Sequence, residues 1–157
     1  METPTAWVIT ISDRGSAGEF EDRSGPAVAR LLEQAGIEVT GRHLIPDEAD
    51  EIRALLREAG ADLVVTTGGT GLGPRDVTPQ ATALEVDYEV PGIGEEMRRA
   101  GLASTPAAML SRGLAGVRGQ TLVINLPGSE QGASESLAAV LPALGHALEL
   151  LRGEPAH

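Results

Sequence analysis

The order of hydrophobic periodicities along the chain does most to narrow its fold. Short β-branched runs, apolar on both faces, alternate with stretches whose apolar residues recur at helical spacing. Ala6–Ser12 (AWVITIS) predicts a buried first strand. The polar stretch Asp13–Ser24 predicts a loop, and Gly25-Pro26 opens a helix that places Val28, Leu31, Leu32 and Ala35 on one side before Gly36 stops it. Ile37–Ile45 predicts the second strand. Asp50 is then the expected N-cap of a helix with the stripe Ile52, Leu55, Leu56 and Ala59, and Ala61–Thr67 (ADLVVTT) is the third strand. Such a β-α-β-α-β run requires crossover helices over a parallel sheet. The expected fold class is therefore α/β, a three-layer α/β/α sandwich with a mostly parallel sheet.

After the third strand come a glycine-rich loop, Gly68–Gly73, and a helix from near Thr78, with Thr78 as its cap and Pro79 at the first helical position. A helix over Pro91–Ala103, a short strand over Ala107–Leu110 and a strand over Leu122–Leu126 (LVINL) follow. Glu135–Leu151 carries the helical stripe Leu137, Val140, Leu141, Leu144, Leu148 and Leu151, with a bend expected at Pro142. At 157 residues, with no internal repeat or linker, the chain is expected to be one domain, 1–157.

Composition removes whole classes of chemistry. All 12 basic residues are arginine, so a P-loop lysine, a Schiff base and a lysyl-nucleotide intermediate are excluded. With no cysteine there is no thiol nucleophile, thiolate metal site or disulfide. A net charge of −11 and the scarcity of aromatics (Trp7, Phe20 and Tyr88) argue against nucleic acid and anionic membranes as partners. No apolar run approaches a membrane span, so a cytoplasmic location is expected. His43, His146 and His157 show no metal-ligand spacing and read as structural or solvated.

Ligands of open α/β sheets bind at the carboxyl ends of the strands. Those ends carry Ser12-Asp13-Arg14, Pro46-Asp47-Glu48, Gly68–Asp76 and Pro127-Gly128-Ser129, so two glycine turns and three aspartates are expected on one rim. Pro74 excludes both the Walker loop and the dinucleotide fingerprint. A glycine-rich turn with two threonines beside Arg75 and Asp76 still suits anion binding, although a plain tight turn is the alternative. Asp47 reads equally as a turn residue after Pro46. Two carboxylates flanking a phosphate loop can also hold Mg²⁺, which binds through one or two carboxylates plus substrate phosphates.

The segment TTGGTGLGPRDVTPQAT (Thr66–Thr82) resembles the signature of the molybdopterin adenylyltransferases, the Mog and MoaB-type proteins of molybdenum cofactor assembly. ITISDR (Ile9–Arg14), LIPDE (Leu44–Glu48), PGIGEEMR (Pro91–Arg98) and MLSRGLAGVRGQTLVINLPGS (Met109–Ser129) are similar in the same order. The resemblance implies transfer of AMP from ATP to the terminal phosphate of molybdopterin, with release of pyrophosphate and use of Mg²⁺. It also implies a homotrimer, or a hexamer of paired trimers. By motif it makes Asp47 and Asp76 the catalytic and metal-binding acids, and Gly68, Gly69, Thr70 and Gly71 the phosphate loop. Ser111, Asn125, Gly128 and Ser129 become further pocket positions, with Ser12, Asp13 and Arg75 expected among the substrate contacts. Arg14, Arg75 and Arg112 are the expected sources of positive charge. Gln80 stands where an acidic residue is frequent, and Glu130 where proline is common. The alternative is a catalytically silent MoaB-type paralogue acting as a trimeric pterin-binding scaffold.

Overall fold

The computed structural model describes residues 2–153. Six strands form one mixed sheet in the order β2-β1-β3-β6-β5-β4. β1 (Thr5–Ile11), β2 (Glu38–Ile45), β3 (Leu63–Thr67) and β6 (Thr121–Leu126) are mutually parallel, whereas β5 (Ala115–Arg118) runs antiparallel to β6 and β4 (Tyr88–Glu89) antiparallel to β5.

Alternation along the central strands sorts their side chains into two cores. Val8, Leu63, Val65, Leu122 and Ile124 pack on one face with Val28 and Leu32 of α2 (Ser24–Gln34), Met97 of α5 (Pro91–Leu102), and Leu137 and Leu144 of α6 (Glu130–Leu151). Ile9, Ile11, Val64 and Val123 pack on the other with Ile52 and Leu56 of α3 (Ala49–Glu58) and Ala81 of α4 (Thr78–Glu85). The three layers expected from the alternation are therefore present. Burial of each large aliphatic side chain contributes roughly 1.5–3 kcal/mol, and every residue of β3 is buried.

Several expectations about element ends are corrected. The stretch Asp13–Ser24 is not all loop: Asp13–Ser16 form a short helix, α1, because the Ser12 Oγ accepts the Gly15 N–H at 3.0 Å. Helix α2 starts at Ser24, ahead of Gly25-Pro26. Glu48, not Asp50, is the N-cap of α3, and Asp50 sits in its first turn, where a negative charge complements the helix dipole. Val77 caps α4, placing Thr78 and Pro79 inside it. Pro106–Leu110 form a 3₁₀ helix rather than a strand. Helix α6 begins at Glu130, five residues earlier than the expected Glu135, because Ser129 Oγ caps the Gly132 N–H.

Strands β4 and β5 carry no clear periodicity. Gly116 is the reason: a side chain there would lie 2.8 Å from the Tyr88 carbonyl oxygen and 2.9 Å from Val86, so the two strands approach closely only where a residue is missing from the apolar pattern.

The connections set the position of the site. From β1 the chain passes outward to β2, then crosses back to β3 on the opposite side of β1. This reversal opens a crevice at the carboxyl ends of β1 and β3, where Ser12-Asp13 and Gly68-Gly69 emerge.

Candidate functional site

Two glycines fold the loop after β3. Gly68 and Gly69 have φ of +98° and +69°, conformations that residues with a side chain rarely adopt. The Gly68 N–H donates to the Leu126 carbonyl at 3.0 Å, and a Cβ at Gly68 would collide with the Ile11 carbonyl oxygen. Gly128 packs against Gly68 from the turn after β6, leaving 3.3 Å between its would-be Cβ and the Gly68 Cα. The two glycine turns therefore close on each other. A Cβ on Gly69 would run into the Thr78 Oγ1 and lie 3.0 Å from Asp47 Oδ1, so the loop presses onto that carboxylate.

Asp13, Asp47 and Asp76, far apart in sequence, meet around this loop. Asp13 and Asp47 interlock: the Asp13 N–H donates to Asp47 Oδ2 at 2.9 Å, and the Asp47 N–H donates to Asp13 Oδ1 at 2.9 Å. Arg75 grips Asp13 through Nε at 3.0 Å and Nη2 at 3.1 Å, and reaches Glu48 Oε1 at 2.8 Å. Asp76 turns back onto its own loop, where its Oδ2 accepts the Gly73 N–H at 3.0 Å.

The charges are uneven. The Arg75 guanidinium holds the Asp13 carboxyl below the usual carboxylate range. Burial pushes the Asp47 carboxyl up, and repulsion from Asp13 and Asp76 adds to it against the bonds from Asp13 and the pull of Arg75. Asp47 is thus a partly desolvated carboxylate with two others beside it.

Asp47 and Asp76 line a single cleft of about 730 Å³, together with Ser12, Gly68, Gly69 and Gly128. Glu21, Asp22, Glu130 and Arg23 also face it, so carboxylates outnumber arginines on its walls. Thr70, Gly71, Ser111, Asn125 and Ser129 line a second pocket of about 380 Å³ on the other side of the glycine loop, with a more apolar wall that includes Leu72, Met97 and Leu110. Most of the expected site residues thus fall into two compartments sharing one loop, whereas Asp13 and Arg75 line neither.

Several of those residues are committed to the protein itself. Asn125, 1% exposed, donates from Nδ2 to Thr66 Oγ1 and Thr82 Oγ1, both at 3.1 Å, while its Oδ1 accepts the Leu114 N–H at 3.3 Å. Its amide therefore ties β6 to β3, α4 and the approach to β5. Arg112 donates to the carbonyls of Gly71 at 2.9 Å and Asp76 at 2.8 Å, and to Gln80 at 3.0 Å, clamping the glycine loop. Arg75 is engaged as described. Arg14 stacks over Phe20 at 3.8 Å beside Glu19. Of these three arginines, Arg75 and Arg14 pair with carboxylates of the protein, whereas Arg112 bonds to neutral carbonyls and an amide.

Sequence reasoning missed Asp22, whose carboxylate accepts from Thr10 Oγ1 at 2.8 Å and from the Gly25 N–H at 2.9 Å. An aspartate three residues before a helix-opening glycine was the available signal. It also missed Arg98, which lines the second pocket and donates to the Gly113 carbonyl at 2.9 Å. The expectation for two histidines matches their surroundings: His43 packs on Trp7 with ring centroids 4.6 Å apart, and His146 lies beside Glu149 in α6. His157 lies outside the described residues. Among the described residues no three or more His, Cys, Asp or Glu side chains form a metal-binding group. No helix of the described residues is long and apolar enough to cross a membrane.

Comparison with known proteins points the same way. The family described as "probable molybdopterin binding domain" matches residues 7–146. The chain is 42% identical over 159 residues to the molybdopterin adenylyltransferase of Helicobacter pylori strain J99, covering 98% of this chain and 90% of that protein. It is 42% identical over 153 residues to that of Escherichia coli K12, covering 93% and 78%. Among solved structures, MoaB of Thermus thermophilus superposes with a TM-score of 0.91 at 51% identity, covering 97% of this chain and 98% of the other. A structure of MogA gives 0.89 at 39% identity, covering 94% and 99%.

Proposed function

Since the chain belongs to the molybdopterin-binding domain family, we propose that it is a molybdopterin adenylyltransferase, acting in molybdenum cofactor biosynthesis. The reaction moves AMP from ATP to molybdopterin. An oxygen of the pterin's terminal phosphate attacks the α-phosphorus of ATP, the bond from that phosphorus to the bridging oxygen breaks, and pyrophosphate departs with the electron pair. No covalent enzyme intermediate is needed, which suits a chain without lysine or cysteine.

The observation that carries this reading is the pairing of compartments across one glycine loop. The larger, carboxylate-rich cleft takes the nucleotide, and the smaller, more apolar pocket takes the pterin, so the two phosphate groups meet at Gly68–Gly71. Gly68 and Gly69 let backbone approach the phosphates where a side chain would block them. Ser111 and Ser129 offer hydroxyls on the pterin side.

A divalent cation, Mg²⁺ in this reading, fits the residues present. Asp47 and Asp76 would hold it, each having an Oδ1 that accepts no hydrogen bond from the described residues. Two carboxylates suffice when substrate phosphates complete the coordination, so a larger acidic cluster is not required. When bound, the cation neutralises the charge that gathers on departing pyrophosphate. The excess of carboxylates in the cleft supports the same view, because it repels bare triphosphate and admits one that arrives with its cation. A homotrimer and a cytoplasmic location belong to this proposal through the family alone.

The test is direct. Purified protein incubated with ATP, Mg²⁺ and molybdopterin is expected to release one pyrophosphate for each adenylated pterin formed, with EDTA stopping the reaction. Absence of pyrophosphate under metal-replete conditions rejects the assignment in favour of a silent binding protein.

A further inference from the structure

Arg75 stands one residue before Asp76, yet its guanidinium is turned away from the cleft: it does not line that space, and its side chain bonds to Asp13 and Glu48. Three segments meet at this fork. Asp13 leaves the end of β1, Glu48 follows Asp47 at the end of β2, and Arg75 ends the glycine loop after β3. Because Asp13 and Asp47 exchange backbone-to-carboxylate bonds at 2.9 Å, a pull on Asp13 is a pull on Asp47. Asp13 and Asp76 both repel Asp47, and Arg75 is the cation bonded to Asp13 and Glu48 beside them.

We infer that Arg75 is a positioning residue, a planar fork that ties the glycine loop's outgoing arm to the Asp13–Asp47 pair and so sets the separation of the two carboxylates that share the cleft. This inference rests on the proposed roles of Asp47 and Asp76. Two converging bonds to Asp13 and a third to Glu48 need a flat, five-donor group, which lysine cannot supply. Arg75 is thereby assigned to the support of the site rather than to substrate contact, in contrast to the expectation from its motif.

The experiment compares wild-type protein with Arg75→Gln, Arg75→Lys, Asp13→Asn and the double variant Arg75→Gln/Asp13→Asn. Two quantities are read: kcat and KM for each substrate, and the affinity for Mn²⁺ followed by electron paramagnetic resonance with a non-hydrolysable ATP analogue present. Thermal melts confirm that each variant is folded. Arg75→Gln is expected to lower kcat and Mn²⁺ affinity about 10- to 100-fold, the range for partners that orient a metal ligand, with KM for the pterin unchanged. Arg75→Lys should fall between. The double variant should be no worse than the more damaged single one, because the two residues act as a unit. If Arg75→Gln instead raises KM for ATP while leaving kcat and Mn²⁺ affinity within about twofold of wild type, or if the double variant is additive, the positioning role is overturned. Should Arg75→Gln not fold, Glu48→Ala, which removes one arm of the fork, reads the same two quantities with a smaller expected loss. Asp47→Ala and Asp76→Ala run alongside separate the two claims: wild-type turnover in those variants sinks the proposed function itself, whereas their inactivity beside an unaffected Arg75→Gln sinks only this inference.

Discussion

Glu85 and Asp47 are both carboxylates tucked against this sheet, and their surroundings differ in sign. Glu85, 5% exposed at the end of α4, receives Arg53 at 2.7 Å, Arg57 at 2.9 Å and Arg118 at 3.3 Å. Those arginines come from α3 and β5, so the cluster ties α3 and α4 to the antiparallel strand β5, and the Glu85 carboxyl is held below its ordinary value chiefly by Arg57. Asp47 has the opposite company, with Asp13 and Asp76 near it and Arg75 already engaged by Asp13 and Glu48. One cluster has more cations than it needs and serves stability. The other lacks cation charge, a shortage that suits the proposed metal-nucleotide site.

The sharpest way to break this contrast is to neutralise each carboxylate in turn. Asp47→Ala and Asp76→Ala are each expected to lower kcat by about 10²- to 10³-fold, comparable to the loss of one preorganised electrostatic group, with the fold intact by circular dichroism. Full activity in either would remove the distinction. Glu85→Ala should do the reverse. It leaves Arg53 and Arg57 without their carboxylate, while Arg118 keeps the residue-85 carbonyl at 3.1 Å, and is expected to cost about 3 kcal/mol, or roughly 6–12 °C in Tm, with kcat per folded molecule unchanged. A calorimetric scan beside an activity assay reads both.

Gly68→Ala, in the Asp47 cleft, should affect both stability and activity. Its side chain would meet the Ile11 carbonyl at a φ that alanine avoids, so a loss of about 1–3 kcal/mol is expected along with weakened turnover, read from denaturant titration and initial rates.

The smallest and most diagnostic effect is on pH. The Glu85 carboxyl is depressed in the fold, so its stabilisation is complete above the ordinary glutamate value of 4.5 and is lost as pH falls through the folded value. The Asp47 carboxyl is raised, so the folded state binds its proton more tightly than the unfolded chain, and ionisation costs stability once pH rises through that value. Asp47→Asn is therefore expected to melt no lower than wild type at pH 7. Glu85→Gln should flatten the loss of Tm on acidification. A lower Tm for Asp47→Asn would show that its bond to Asp13 outweighs the repulsion.

Strand and helix alternation was legible because β1, β3 and β6 are buried on both faces and their helices carry regular stripes. The antiparallel edge escaped notice, since β4 and β5 are short and join where Gly116 leaves a gap in the pattern. The expected 107–110 strand failed for a related reason: Pro106 and a capping Thr105 set a 3₁₀ turn that a short apolar run cannot distinguish from a strand. In the site, the rim positions could be named from the strand ends, but the partners of each side chain could not. Arg75, Arg112 and Asn125 stand in motifs that suggest ligand contact, and folding assigns their polar groups to Asp13, to loop carbonyls and to buried threonines.

Periodicity and residue type alone determined the layered α/β architecture, the exclusion of lysine and thiol chemistry, and which strand ends carry the aspartates and glycine turns, because these depend on local spacing and on which atoms the chain possesses. The tertiary structure alone decided that Asp13, Asp47 and Asp76 crowd one loop, that the loop divides two pockets, and which arginines remain to balance the charge. Those outcomes depend on distances between segments far apart in the chain, and electrostatic and hydrogen-bond energies change over a few ångströms that no pattern of residues specifies.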